Sequence, residues 1–238
     1  MQLNKIYNED CLEFMSKIQN DFFDLTITSP PYNTGGQNAQ TGKDRNFYKE
    51  YKDNLSEIEY YEWIKKIIQE LLRTNKHYVF FNFQFLSNNK KTYFKLIGEF
   101  SENIKDIFIW HKHSLSQIVK GKMATGYEVV LILGKYDKMN FEYNNFPHNN
   151  YVPNIQKWNK KESFKGHGAT MPIQMSDYFI QHFSNEGDLI FDCFSGLGTT
   201  ACSAAKLNRN FIGTEITKEY IELTNKRLLP YLTQTKLF

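Results

Sequence analysis

A serine, two prolines and a tyrosine stand in a row at Ser29-Pro30-Pro31-Tyr32, directly after an apolar run of Phe22, Phe23, Leu25 and Ile27. Proline lacks a backbone N–H and restricts the residue before it to extended conformations. Ser29 and Pro30 are therefore held extended, with carbonyls that cannot join a helix. Tyr32 adds a flat ring beside those acceptors. A hydroxyl, a fixed carbonyl and a stacking face can together grip a planar base by its amino group. An ordinary strand-ending turn has the same composition, so the rest of the chain has to decide.

A second stretch with chemical potential is Gly196-Leu197-Gly198-Thr199-Thr200-Ala201, which follows the apolar run Leu189-Ile190-Phe191 and satisfies G-x-G-x-x-G/A. Glycines in such a turn allow close backbone approach to a nucleotide, and a carboxylate ending the next strand, here Glu215, can bind ribose hydroxyls. On this reading a side chain at Gly198 would block the ligand and leave the fold intact. These residues alone are equally compatible with a nicotinamide dinucleotide.

The elements that must position both stretches alternate along the chain. Strands are expected over residues 3–8, at 22–28, His77–Phe83, Ile104–His111, Tyr127–Leu133, Asp188–Asp192 and Asn210–Glu215. Continuous apolar runs such as Val79-Phe80-Phe81 mark strands covered on both faces. Helices are expected over about 11–19, 56–73, 88–98 and 173–184, from Thr199 onward, and from Thr217 until Pro230 closes the last one. Ser56-Glu57-Ile58-Glu59 is a capping box. Asp10 sits at a strand-to-helix turn, where an α/β sheet presents polar groups to ligands and where a helix also wants a simple cap. Trp63 and Tyr61 read as packing residues.

Two segments lack periodicity. Asn33 to Arg45 is polar and glycine-rich, with Lys43 and Arg45 near its end, and has the composition of a lid, a DNA clamp or a plain surface loop. Residues 136–165 are rich in asparagine, aromatics and lysine, including Lys157, Lys160 and Lys161. Amides read base edges, lysines bind phosphate and aromatics stack. The expected organisation is a catalytic domain of residues 1–135 and 166–238 with a small DNA-recognition insertion at 136–165.

The 238 residues are 41% hydrophobic, which suits one domain with a substantial core. A net charge of +3 excludes a polycationic nucleic-acid binder, so any DNA surface must come from local clustering. Cys11, Cys193 and Cys202 have no metal spacing, and His111 and His113 lack a third ligand, so no metal site is expected. The odd cysteine number, the absence of a leader-like start and the absence of a long apolar run point to a reducing, cytosolic compartment without a membrane span.

Taken in order, these motifs resemble the amino-group DNA methyltransferases, which methylate exocyclic amines of cytosine or adenine with S-adenosylmethionine. Asp192-Cys193-Phe194-Ser195-Gly196-Leu197-Gly198-Thr199-Thr200 is similar to their cofactor motif Asp-Pro-Phe-x-Gly-x-Gly-Thr-Thr. Thr28-Ser29-Pro30-Pro31-Tyr32 is similar to their catalytic motif. His167-Gly168-Ala169-Thr170-Met171-Pro172 resembles the segment that closes over the methionine part of the cofactor, and Phe211–Glu215 the ribose-binding strand. Asn8-Glu9-Asp10-Cys11 resembles the turn beside the target base. Catalytic motif before cofactor motif is the permuted order of the β group. Cys193 departs from the usual proline, and the insertion is short for recognition of a long site.

The resemblance implies a doubly wound, mostly parallel seven-stranded α/β sheet with an antiparallel edge hairpin. It implies S-adenosylmethionine bound by Asp192, Cys193, Phe194, Gly196, Gly198, Thr199, Thr200, Glu215, His167, Thr170 and Pro172. The catalytic set would be Ser29, Pro30, Pro31, Tyr32 and Asp10, acting on a base flipped out of duplex DNA. Lys157, Lys160, Lys161, Asn33, Lys43 and Arg45 would contact the DNA. Serine before Pro-Pro-Tyr usually accompanies cytosine in this family, and the hydroxyl's own proton could reach cytosine's ring nitrogen. The expected product is therefore N4-methylcytosine, with adenine-N6 methylation as the alternative. Such an enzyme is cytoplasmic, bacterial or phage-encoded, and works at the nucleoid. The family leaves room for a homodimer and for a companion restriction enzyme or second methyltransferase. Rivals from other classes are a nicotinamide oxidoreductase, which leaves Ser29–Tyr32 unexplained, and a DNA-binding subunit without activity. Methylation of a protein glutamine uses a similar Pro-Pro-Tyr but places its cofactor motif first.

Overall fold

A computed structural model describes residues 1–34, 53–116, 120–121, 123–135, 151–158 and 171–233. Chain order is β1 (Lys5–Tyr7), α1 (Cys11–Ser16), β2 (Phe23–Thr28), α2 (Glu57–Thr74), β3 (Asn75–Phe83) and α3 (Lys90–Glu99). Then come β4 (Ile104–Ser116), β5 (Thr125–Gly134), β6 (Ile155–Trp158), α4 (Ile173–Phe183), β7 (Leu189–Asp192), α5 (Thr199–Lys206), β8 (Asn210–Thr214) and α6 (Lys218–Leu232).

The strands form one sheet in the order β1-β8-β7-β2-β3-β5-β4-β6. Every neighbouring pair is parallel except the two made by β5, which runs against both β3 and β4. Alternation explains the continuous apolar runs. Val79, Phe81 and Phe83 of β3, with Val129, Leu131 and Leu133 of β5, face α1, α2 and α3. Tyr78, Phe80, Val130 and Ile132 face α4, α5 and α6 on the opposite side. Rings fasten both layers: Phe23 stacks on Phe191 at 4.0 Å and Phe80 on Phe179 at 4.1 Å.

The α/β architecture expected from the sequence is the one observed, with two differences in detail. An eighth strand, β6, lies within the expected insertion and pairs in parallel with β4, so the antiparallel hairpin is not the sheet's edge. The last helix also runs past Pro230 to Leu232. A missing N–H so close to the end forfeits only one late helical bond, and Thr233 N–H closes the turn on Leu229 at 3.0 Å. The capping box at Ser56 and Glu59 forms as expected.

Candidate active site

The polar residues gather where β7, β8, β2 and β3 end, the face on which parallel sheets bind ligands. At the end of β7, Asp192 Oδ1 accepts from Thr28 Oγ1 at 2.8 Å and from the Phe194 N–H at 3.0 Å. The next residues form a tight turn, with Gly196 and Gly198 at φ 50° and 70°. Ser195 N–H donates to Thr214 O at 3.0 Å, and Gly198 N–H donates to Ser195 O at 2.7 Å. Glu215, just past β8, binds this turn directly: Oε2 accepts from Gly196 N–H and Oε1 from Thr217 N–H, both at 2.9 Å. Phe194 is half-buried with its ring edge-on to Trp63 at 5.6 Å, so Trp63 supports a predicted cofactor residue. Thr199 and Thr200 start α5 and are buried, with Thr200 Oγ1 donating to Ile27 O at 3.4 Å. Cys193 is buried beside Thr28, its sulfur 3.3 Å from Thr28 Oγ1. Pro172 is the buried N-cap of α4. His167 and Thr170 lie outside the described residues.

Burial pushes the Asp192 carboxyl up from its ordinary 3.8 to about 6, and burial likewise raises Glu215. A ligand offering hydroxyl donors and positive charge answers both desolvated carboxylates, and S-adenosylmethionine carries both. The residues present therefore fit that cofactor. The Asp192 shift has a stability consequence. A carboxyl that holds its proton more tightly when folded contributes most below about pH 4, and that contribution is lost as pH rises through about 6. Asp192→Asn should therefore gain on wild type by roughly 2 kcal/mol between pH 4 and pH 7.5, read from urea melts at both values. A difference that does not change with pH would mean that Asp192 does not titrate in this range.

Gly198 departs from the sequence expectation. A Cβ built there meets Thr224 Cγ2 of α6 at 2.2 Å, so helix packing and positive φ already require the glycine, whatever approaches the turn. Asp10 caps α1, its Oδ1 accepting from Leu12 N–H at 2.8 Å and Glu13 N–H at 3.2 Å.

The loop after β2 is pinned from every side. Pro31 O accepts from Tyr60 at 2.8 Å and Tyr32 O from Asn89 Nδ2 at 2.7 Å. Among the described residues no donor reaches the Pro30 carbonyl. Asn33, expected on DNA, is 3% exposed at φ 56° and gives both ends of its amide to the Leu55 backbone. Its role is to close this loop. Burial and these two bonds hold the amide away from a base, against the expected DNA contact.

Ser29 and Tyr32 belong to a network that includes residues the sequence reading missed. Ser29 Oγ and Tyr32 Oη lie 2.9 Å apart, and the phenol donates to Glu128 Oε2 at 2.9 Å. Asn82 Nδ2, at the end of β3, reaches Tyr32 Oη and Glu128 Oε2 at 2.8 Å and Ser29 Oγ at 3.2 Å. Lys112 of β4 pairs with Glu128 Oε1 at 2.5 Å and donates to Gln84 Oε1 at 3.1 Å. An ionised carboxylate only accepts, so the phenol's single proton goes to Glu128, and the Ser29 hydroxyl must then donate to Tyr32. What Ser29 has left for a ligand is a lone pair. The donor that would have reached cytosine's ring nitrogen is already committed. The signal for this network was present in the sequence: one amide and one acid inside runs otherwise buried on both faces.

Of the DNA residues, Lys157 is exposed on β6, paired in register with His111. Lys43, Arg45, Lys160 and Lys161 lie outside the described residues.

The type II methyltransferase M1.MboII of Moraxella bovis is 26% identical over 94% of this chain and 96% of its own. The structure of the PvuII DNA methyltransferase, described as cytosine-N4-specific, superposes with a TM-score of 0.74 at 19% identity, covering 98% of this chain and 87% of that one. A Thermus thermophilus protein described as a putative DNA modification methylase, solved with S-adenosyl-L-methionine, gives 0.68 at 19% identity over 97% and 95%. Both show the fold. A family model for DNA methylases of the N6/N4 type matches residues 23–226, and this chain belongs to that family, the amino-group DNA methyltransferases.

Proposed function

We propose that the protein transfers a methyl group from S-adenosylmethionine to the N4 amino group of a cytosine flipped out of duplex DNA. The observation that carries this reading is the bond from Thr28 to Asp192, 2.8 Å long, which sets the base-gripping loop beside the glycine turn on adjoining strands. S-adenosylmethionine, when bound, supplies an activated methyl group. Asp192, Cys193, Phe194, Gly196, Thr199, Thr200 and Glu215 would hold it from one side, with His167, Thr170 and Pro172 from the other.

The chain's own residues make the amino nitrogen reactive. Conjugation with the ring withdraws its lone pair, and acceptors on its two hydrogens let it pyramidalise. The Ser29 lone pair and the Pro30 carbonyl, which no donor reaches among the described residues, are those acceptors. Tyr32 would stack on the base and Asp10 would contact another edge of it. Serine at this place and the likeness to a cytosine-N4-specific enzyme support cytosine. Adenine-N6 methylation is the second reading, because an acceptor-only Ser29 serves either base equally. Nucleoside mass spectrometry of enzyme-treated DNA separates them: N4-methylcytosine is the expected product, and N6-methyladenine as the sole new species would overturn the choice of base.

Residues 136–165 would supply recognition, with Lys157, Lys160 and Lys161 on phosphates. Replacing all three should weaken binding across sequences and lower the salt slope by roughly one unit per lost contact. A changed site preference at constant slope would count against this assignment. A companion restriction enzyme is in keeping with the type II relatives.

A further inference from the structure

The Glu128–Lys112 pair is given no part in substrate binding by the function proposed above, yet it ends a chain of hydrogen bonds that begins at Ser29. Buried ion pairs are poor stabilisers, since desolvation offsets their attraction. Here the pair does something geometrically definite. Lys112 occupies Oε1 at 2.5 Å, so Oε2 is left to face Tyr32 and Asn82. Asn82 is 2% exposed and Glu128 7%, which keeps this end of the chain dry. Two protons are then ordered in one direction, Ser29 to Tyr32 and Tyr32 to Glu128, with the Asn82 amide nitrogen within 3.2 Å of all three oxygens.

We propose that Glu128 is the positioning residue and terminal proton acceptor of a relay that removes the proton released by amino methylation. The inference rests on the function proposed above. Once the amino nitrogen carries a methyl group it holds one proton too many. That N–H bond breaks with its electron pair staying on nitrogen, and the proton passes to Ser29 Oγ. Ser29's own proton moves to Tyr32 Oη, and the Tyr32 proton moves to Glu128 Oε2. Ser29 and Tyr32 end as they began, the product amine is neutral, and Glu128 is a carboxylic acid until it releases the proton to bulk water. A carboxylate suffices as acceptor, because a nitrogen whose lone pair belongs to the ring is a strong acid once it is methylated and cationic. Burial and the neighbouring Glu128 charge raise the Tyr32 phenol well above its ordinary value, so Tyr32 passes a proton along rather than resting as phenolate.

The test is single-turnover methylation of duplex DNA by wild type, Glu128→Gln, Tyr32→Phe and the double variant, with the solvent deuterium isotope effect measured for each. The relay requires at least a tenfold loss for each single variant, no further loss in the double, and an isotope effect that falls in both singles, with DNA and cofactor affinities within twofold of wild type. A Glu128→Gln rate within twofold of wild type, or losses that multiply in the double variant, overturns the relay. Should Glu128→Gln fail to fold, Tyr32→Phe, which deletes one hydroxyl, decides alone: an unchanged isotope effect overturns the proposal. A wild type that methylates no amino group in DNA would instead sink the proposed function, and the relay with it.

Discussion

Gly198→Val should lower the unfolding free energy by about 3–5 kcal/mol and lose cofactor binding as a result of that damage. The new Cβ would stand 2.2 Å from Thr224 Cγ2 and 3.0 Å from Thr224 Oγ1, on a backbone at φ 70° that β-branched residues avoid. Overpacking and backbone strain thus act together at the turn that Glu215 and Asp192 hold. With a domain's total stability of roughly 5–15 kcal/mol, a shift of that size shows clearly in a urea melt. A double-mutant cycle separates the two contributions. Thr224→Ala removes both close atoms, so Gly198→Ala made in that background should recover the packing part and leave the φ penalty. If Gly198→Val melted like wild type but bound no cofactor in calorimetry, the glycine would be bare for a ligand after all.

Ser29→Ala should slow single-turnover methylation by about a hundredfold while DNA and cofactor affinities stay within twofold. On the mechanism proposed above, the oxygen removed supplies the lone pair that the amino hydrogen needs in the transition state. The Pro30 carbonyl then remains as the only acceptor of the pair. Tyr32 keeps its bonds to Glu128 and Asn82, so the loop should hold its shape. The loss belongs in the rate rather than in binding because the nitrogen asks most of its acceptors as it pyramidalises. A variant within threefold of wild type would remove Ser29 from the reaction.

The sheet was legible because its central strands are covered on both faces. Val79 to Phe83 and Val129 to Leu133 can be little else, and the glycine turn after Leu189–Asp192 names its own neighbours. Strand β6 was not legible. Its four residues, Ile155 to Trp158, carry no alternation strong enough to stand out of a polar segment, and what holds it is pairing to β4 far away in sequence. The glycine at 198 was legible as part of the turn, but not the packing that also demands it, because Thr224, which presses on it, lies on a helix that follows the next strand. The Ser29 network was half legible. Asn82 and Glu128 are conspicuous as polar residues in apolar strands, but that they meet over Tyr32 follows only from β3 and β5 running antiparallel with Asn82 opposite Val130.

The place of β6 has a consequence for anyone wishing to re-target this enzyme. Its register sets Lys112 of β4 opposite Trp158, and Trp110 Nε1 donates to Trp158 O at 3.2 Å. Ile155–Trp158 of the proposed reading head are thus stitched to the strand whose lysine orients Glu128. Transplanting a foreign 136–165 from a relative would swap specificity and loosen that strand in one stroke, producing chimaeras that bind a new site yet turn over poorly. Grafts that stop before Ile155 and keep Ile155–Trp158 native should leave turnover intact, so the practical seam for engineering lies inside the segment rather than at its borders.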